Sequence, residues 1–170
     1  MNFLELSEKR YSCRSFSDKE VSPDLIKKII QAGISAPTAV NSQAFKIFHA
    51  TSEEAKGIIR ESTSCHFDAP ELLIVGYESD TSWVRPFDDM NFADIDASIV
   101  ATHMMLEAED LGLGSTWVGY FDAPFLQEKL PETKPYTLIA LFPIGYPSET
   151  SEPSKRHYER KDYSEIVIDL

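Results

Sequence analysis

Between residues 93 and 111 apolar side chains fall on almost every face of a helix. Ile95, Ile99, Val100, Met104, Leu106, Ala108 and Leu111 leave no broad polar stripe, and Gly112 and Gly114 stop the run. A helix of this kind must be buried, so the rest of the chain has to be built round it. Glu107, Glu109 and Asp110 crowd its C-terminal end, where the helix dipole disfavours anions, and the sequence offers no partner for them.

The material around that helix alternates between strand-like and helix-like runs. Ser22-Pro23-Asp24 reads as an N-cap, a first-turn proline and an acidic residue. Leu25, Ile26, Ile29, Ile30 and Ile34 then give an amphipathic helix ending near Ala36-Pro37. Residues 45–50 alternate as a strand, 52–62 form a short helix capped by Ser52, and 70–77 are continuously apolar, as in a strand buried on both faces. Residues 115–121 and 136–147 predict two more strands, with a short helix at 124–130 between them. A polar crossing from 148 to 161 leads to the β-prone end YSEIVIDL, 163–170. That terminal strand pairs within its own chain or with a partner subunit. The fold class predicted is α+β: a sheet of about five strands with helices packed against it. Residues 1–147 form one domain and 148–170 its extension.

Composition closes several doors. The 170 residues suit a single domain, and the net charge of −12 argues against nucleic-acid binding and anionic membrane surfaces. No apolar run is long enough for a membrane span, and the N-terminus has no signal-peptide core, so the expected location is cytoplasmic. Cys13 and Cys65, with His49, His66, His103 and His157, have no metal-ligand spacing, and no metal is predicted. Cys65 and His66 are neighbours in sequence, which usually point apart, so no nucleophile is assigned.

Against this acidic background Arg10, Ser12 and Arg14 stand at alternate positions. In an extended segment these side chains share one face, and two guanidiniums with a hydroxyl make a receptor for phosphate. The plain alternative is a solvated helix end carrying two surface arginines. A second segment, 35–48, places Ser35, Thr38, Asn41, Ser42 and Gln43 between a helix and a strand, with Pro37 fixing the turn. It can present amides and hydroxyls to a polar ring edge, or be ordinary turn chemistry.

Taken in order, these stretches resemble the nitroreductase family of FMN-dependent oxidoreductases. The resemblance rests on R-x-S-x-R-x-F at 10–16, A-P-T-A-V-N-S-Q at 36–43, the helix and following strand at 96–119, F-P-I-G-Y-P at 142–147, and Arg160. It implies a nitroreductase-like fold with a central mixed sheet, in a tight homodimer carrying FMN at the subunit interface. The terminal strand would be exchanged with the partner or paired in its own chain. Arg10, Ser12 and Arg160 would hold the phosphate, and Arg14 would lie near the N1/O2 ring edge. Pro37, Thr38, Ala39 and Asn41 would come from the other subunit, with Gln43 as an additional polar contact. Val118 and Gly119 would offer backbone groups to the N5/O4 edge. Larger members often have a second cation two residues before the equivalent of Arg160; here that position is Tyr158, leaving Lys155, Arg156 or Lys161 as substitutes.

The activity implied is reduction of nitroaromatics, quinones or similar small electron-poor acceptors by NADH or NADPH, with the flavin carrying the chemistry and no catalytic side chain required. No G-x-G-x-x-G distinguishes the two nicotinamides. Trp117, Tyr120 and Phe121 are candidate pocket walls or core. Rival readings are a flavin-dependent dehydrogenase or dehalogenase on the same scaffold, and a flavin-binding regulator or FMN reserve.

Overall fold

Strand β2 (Glu71–Tyr77) is the middle of the molecule, and its alternation sorts the core into two halves. We analysed a computed structural model, which describes residues 2–170. Leu73 and Val75 point to one face of the sheet, and Leu72 and Ile74 to the other. The same division continues on β4 (Thr137–Gly145), where Ala140, Phe142 and Ile144 join the first face and Leu141 the second. Helices α2 (Pro23–Ile34) and α4 (Ala93–Asp110) cover the first face, and α3 (Glu53–Glu61) and α5 (Ala123–Lys129) the second. A layer of helices on each side explains why β2 is one continuous apolar run.

The sheet has four strands in the order β1-β2-β4-β3, with β1 at Phe45–His49 and β3 at Gly114–Ser115. All its ladders are antiparallel, so the mixed five-strand sheet expected from the sequence is corrected on two counts. Strand 115–121 is shorter than its pattern: Ser115 pairs with Ile144, and the same register returns only once, where Val118 meets Leu141. A parallel element survives only as an isolated bridge between Ser12 and Ser115.

The second correction concerns the tail. Residues 163–170 do not form a strand. A capping box between Asp162 and Glu165 turns Tyr163–Ile166 into a single helical turn, α6, and the residues after it stay exposed. β-propensity needs a neighbouring strand to express itself, whereas a capping box is satisfied locally. Segment 148–170 is tied to the body mainly near its start. The Ser148 N–H donates to Ser15 O, and Ser151 Oγ bonds the Tyr11 hydroxyl at 2.9 Å.

Other local readings hold. Ser52 caps α3 by accepting from the Ala55 N–H, and Ser22 caps α2 ahead of Pro23. The sequence reading missed α1 (Phe3–Lys9), although Asn2 and Glu5 form a reciprocal capping box there. Helix α4 touches α1, α2 and the whole sheet, but only one of its faces is closed. Ala97, Val100, Ala101, Met104 and Ala108 are buried, and α2 approaches so closely at Gly33 that a Cβ there would lie 2.7 Å from Met104 Cγ. Ile95, Ile99 and Leu106 instead line an apolar groove with Phe3 and Leu6, about 860 Å³ in volume. The anions at the end of α4 are partly explained: Glu109 is buried and paired with Lys9 at 3.2 Å. Among the described residues no helix is long and apolar enough to cross a membrane.

The sheet edge carries one ionic cluster with a pH signature. Glu71 accepts from His49 Nε2 at 2.8 Å and faces Lys56 Nζ at 3.3 Å. Burial pushes the Glu71 carboxyl up, but the His49 hydrogen bond and the Lys56 cation outweigh it and the net shift is downward. The ionised form therefore stabilises the fold above the usual glutamate pKa. That stability is lost as pH falls from there through the lowered folded value. Glu71→Gln should cost about 1.5 kcal/mol at neutral pH, the scale of a charged hydrogen bond. In denaturant titrations at several pH values, its deficit should shrink towards zero in acid.

Candidate functional site

The N-terminal segment is held beside β3 by backbone. Helix α1 ends at Lys9, Arg10 is its C-cap, and the Cys13 N–H donates to Ser115 O at 3.0 Å. Cys13 is fully buried against Gly114, where a Cβ would lie 2.7 Å from the Cys13 Sγ. That close approach requires glycine at 114 and turns position 13 inward. Arg14 is exposed, with Nη1 donating to Ser12 O at 3.1 Å. Arg10 is half-buried, with Nη1 3.8 Å from Met105 Sδ.

The tail then brings a second guanidinium to Arg10. His157 Nε2 lies 3.1 Å from Glu8 O, which pins the tail against the end of α1. Arg160 donates to the carbonyls of His157 and Glu159 and lies near enough to act on Arg10. Burial lowers the Arg10 pKa, Glu109 opposes that, and the Arg160 charge lowers it further. Glu109 thus offsets part of the repulsion between the two like charges. Lys155, Arg156 and Lys161 all remain exposed.

Residues 118–122 continue along the sheet edge beyond β3. The Val118 N–H donates to Leu141 O, and the Leu141 N–H donates to Val118 O. Both backbone groups of Val118 are thus engaged and its side chain is buried, which moves the candidate donor on to Gly119. In a trans peptide the C=O of one residue and the N–H of the next point in opposite directions. Since Val118 C=O points at β4, the Gly119 N–H points away from the sheet. Gly119 is exposed, and among the described residues its N–H has no partner. The far end of the segment is clamped by Thr63, whose hydroxyl accepts the Cys65 N–H at 3.0 Å and so must donate to Tyr120 O. The Asp122 N–H donates to Ser62 O. A polar hollow of about 470 Å³ opens between 61–64 and 119–122. Of the candidate aromatics only Tyr120 is exposed: Trp117 packs edge-on against Phe142, and Phe121 joins the second core cluster.

The 37–43 segment lies elsewhere. Pro37, Val40, Asn41 and Gln43 are exposed, while Thr38 and Ala39 are half-buried. Val40, Asn41 and Gln43 all have φ near +50°, at 48°, 56° and 51°. Such conformations cost about 1–3 kcal/mol each outside glycine. Thr38 Oγ1 accepts the Gln43 N–H, and Gln43 Nε2 donates to Asn41 O at 3.4 Å, so part of the polar set closes the loop on itself. The outside anchor is Asp96, which the sequence reading passed over, although a carboxylate inside an otherwise apolar helix was its signal. It accepts from the Ala39 N–H at 3.0 Å and the Ser42 hydroxyl at 3.2 Å.

Helix α4 measures the gap between the two groups. Asp96 stands at its first turn and Glu109 at its last; thirteen residues at the helical rise separate them by about 20 Å. Arg10 and the tail that lies against α1 therefore stand near one end of α4, and 37–43 near the other.

Comparisons place the chain in a family of oxidoreductases. The nitroreductase family model matches residues 8–69 and 64–146, and the chain belongs to the nitroreductase family. A nitroreductase family protein of Clostridium difficile 630 is 37% identical, with 99% of this chain and 98% of that one covered and a TM-score of 0.90. A protein of Methanothermobacter thermautotrophicus, named as a candidate NADH dehydrogenase/NAD(P)H nitroreductase, is 29% identical over 94% of this chain and 88% of its own. The fold is also shared with a candidate nitroreductase of Desulfovibrio desulfuricans crystallised in complex with FMN. That chain is 21% identical with a TM-score of 0.82, and the match covers 100% of this chain and 98% of that one.

The Thr63 clamp is testable without any ligand. Thr63→Val removes one donor and one acceptor and leaves a carbonyl and an amide without partners, which should cost about 1–3 kcal/mol in denaturant unfolding. Thr63→Ser keeps both bonds and should cost less than half as much.

Proposed function

We propose that the protein is an FMN-dependent, NAD(P)H-driven reductase of small electron-poor acceptors, working as a homodimer in the cytoplasm. The observation that carries this reading is the tail held against the end of α1 by His157, three residues before Arg160, which brings a second arginine to the Arg10 end of a chain of net charge −12. On the sheet edge Gly119 adds an outward N–H. Paired guanidiniums suit a phosphate, and a backbone donor suits the polar edge of a ring. The donor set therefore fits FMN.

In this reading Arg10, Ser12 and Arg160 hold the phosphate, Arg14 stands by the ring, and Gly119 donates to its other edge. Val118 supports that donor from within the sheet. Pro37, Thr38, Ala39 and Asn41, with Gln43, come from the partner subunit. The 20 Å between the two groups supports this assignment, because one chain cannot bring both to a single cofactor. Two copies related by a two-fold axis, packed along the open apolar face of α4, would set the first turn of one helix beside the last turn of the other. FMN held there would supply two-electron hydride chemistry between NADH or NADPH and a nitroaromatic or quinone. The chain's own residues bind, orient and bias charge.

The decisive experiment is anaerobic. Protein loaded with FMN should bleach on addition of NADH or NADPH and recover its colour when a nitroaromatic is added. Light scattering should give about twice the chain mass. A dimer that holds FMN but is not bleached by either nicotinamide is a flavin-binding protein of another kind, and the reductase reading fails.

The two arginines of the opening motif have separable roles. Loss of Arg10 should weaken oxidised and reduced FMN about equally, because the phosphate is the same in both. Loss of Arg14 should weaken the more negatively charged reduced state more. A differential loss of about 1.4 kcal/mol makes the midpoint potential about 30 mV more negative for a two-electron couple. Potentiometry on Arg10→Ala and Arg14→Ala should therefore show a shift only in the second.

A further inference from the structure

Asp96 poses a problem that the fold alone does not solve. It is 2% exposed, and among the described residues no cationic side chain pairs with it. A buried carboxylate without a cation is unfavourable, and the first turn of α4 compensates only in part. What it does hold is specific. One oxygen takes the Ala39 N–H and the other the Ser42 hydroxyl, bracketing the two residues, Val40 and Asn41, that stand with their φ angles at 48° and 56°. A β-branched residue in that region is a genuine outlier and persists only when its surroundings over-determine it. Val40 is 74% exposed, so no packing of its own side chain holds it there.

We propose that Asp96 is the positioning residue of the 37–43 segment. Its two hydrogen bonds keep a strained loop in the one shape that presents Thr38, Ala39 and Asn41 to FMN bound by the partner subunit. The proposal rests on the FMN reading above but makes a separate claim: the hydrogen bonds, not the charge, do the work. A residue needed only for its charge at a helix N-terminus would serve α4, whereas a clamp serves the loop.

Substitutions separate the two roles. In Asp96→Asn the side-chain oxygen can accept from Ala39 and the NH₂ can donate to the Ser42 oxygen, so the clamp survives and the charge is lost. Asp96→Ala removes both, and Ser42→Ala removes one bond while leaving α4 intact. FMN affinity is read by fluorescence titration, and hydrogen exchange at the Ala39 amide is read in flavin-free protein. Asp96→Ala should weaken FMN about tenfold and Ser42→Ala about threefold, the scale of one or two hydrogen bonds. Asp96→Asn should stay within about twofold of the parent. Exchange at Ala39 should quicken in Asp96→Ala and stay slow in Asp96→Asn. Asp96→Asn as weak as Asp96→Ala would assign the effect to charge and overturn the clamp. Parent-like FMN affinity in both Asp96→Ala and Ser42→Ala would overturn it as well. Should Asp96→Ala not fold, Ser42→Ala and Asp96→Asn decide the matter. If the parent itself takes up no FMN, the functional reading fails, while Ala39 exchange still tests the clamp.

Discussion

The burial of α4 against one face of the sheet sets the distances in this protein. Ala97, Val100, Ala101, Met104 and Ala108 close the contact with α2, β2 and β4. Small residues on that side let the helices approach until Gly33 meets Met104. A helix held this tightly is a rigid spacer, and its eighteen residues separate whatever is attached to its two ends. The strained loop is attached at the first turn through Asp96. At the last turn Glu109 faces Lys9 and the Arg10 region, with the tail folded over them.

Each end of α4 solves an electrostatic problem in its own way. At the N-terminal end a buried carboxylate is tolerated because the helix dipole favours an anion and two hydrogen-bond donors converge on it. At the C-terminal end the dipole works against Glu109, and Lys9 supplies the opposite charge. The same anion restrains Arg10, which burial and Arg160 would otherwise make harder to keep charged. The two ends of α4 thus balance their charges differently, with the apolar middle of the helix keeping them apart.

Much of this was visible in the order of residues. Periodicity located α2, α3, α4 and α5; capping residues fixed two of their starts; and the unbroken apolar run at 70–77 required helices on both sides of β2. The arginines at alternate positions and the A-P-T-A-V-N-S-Q segment pointed to the family to which the chain belongs. What failed were statements about pairing. The 115–121 run is as β-prone as a strand, yet among the described residues only Gly114, Ser115 and Val118 find β4, and the tail finds no strand within its own chain. Whether a segment pairs depends on an available edge, and an edge is a property of the assembled sheet.

By itself the sequence determined where α2, α3, α4 and α5 run and which strand is buried on both faces, because propensity, capping and periodicity act within a few residues of one another. Tertiary structure decided that Val118 spends both backbone groups on Leu141 while Gly119 keeps its N–H free, since a peptide plane is oriented by the strand across from it. It also decided that the tail returns to the end of α1 through His157 and Glu8, and that a carboxylate 57 residues downstream holds Ala39. Those contacts join residues far apart in sequence. They exist only once α4 has been buried and its length has become a fixed distance in space.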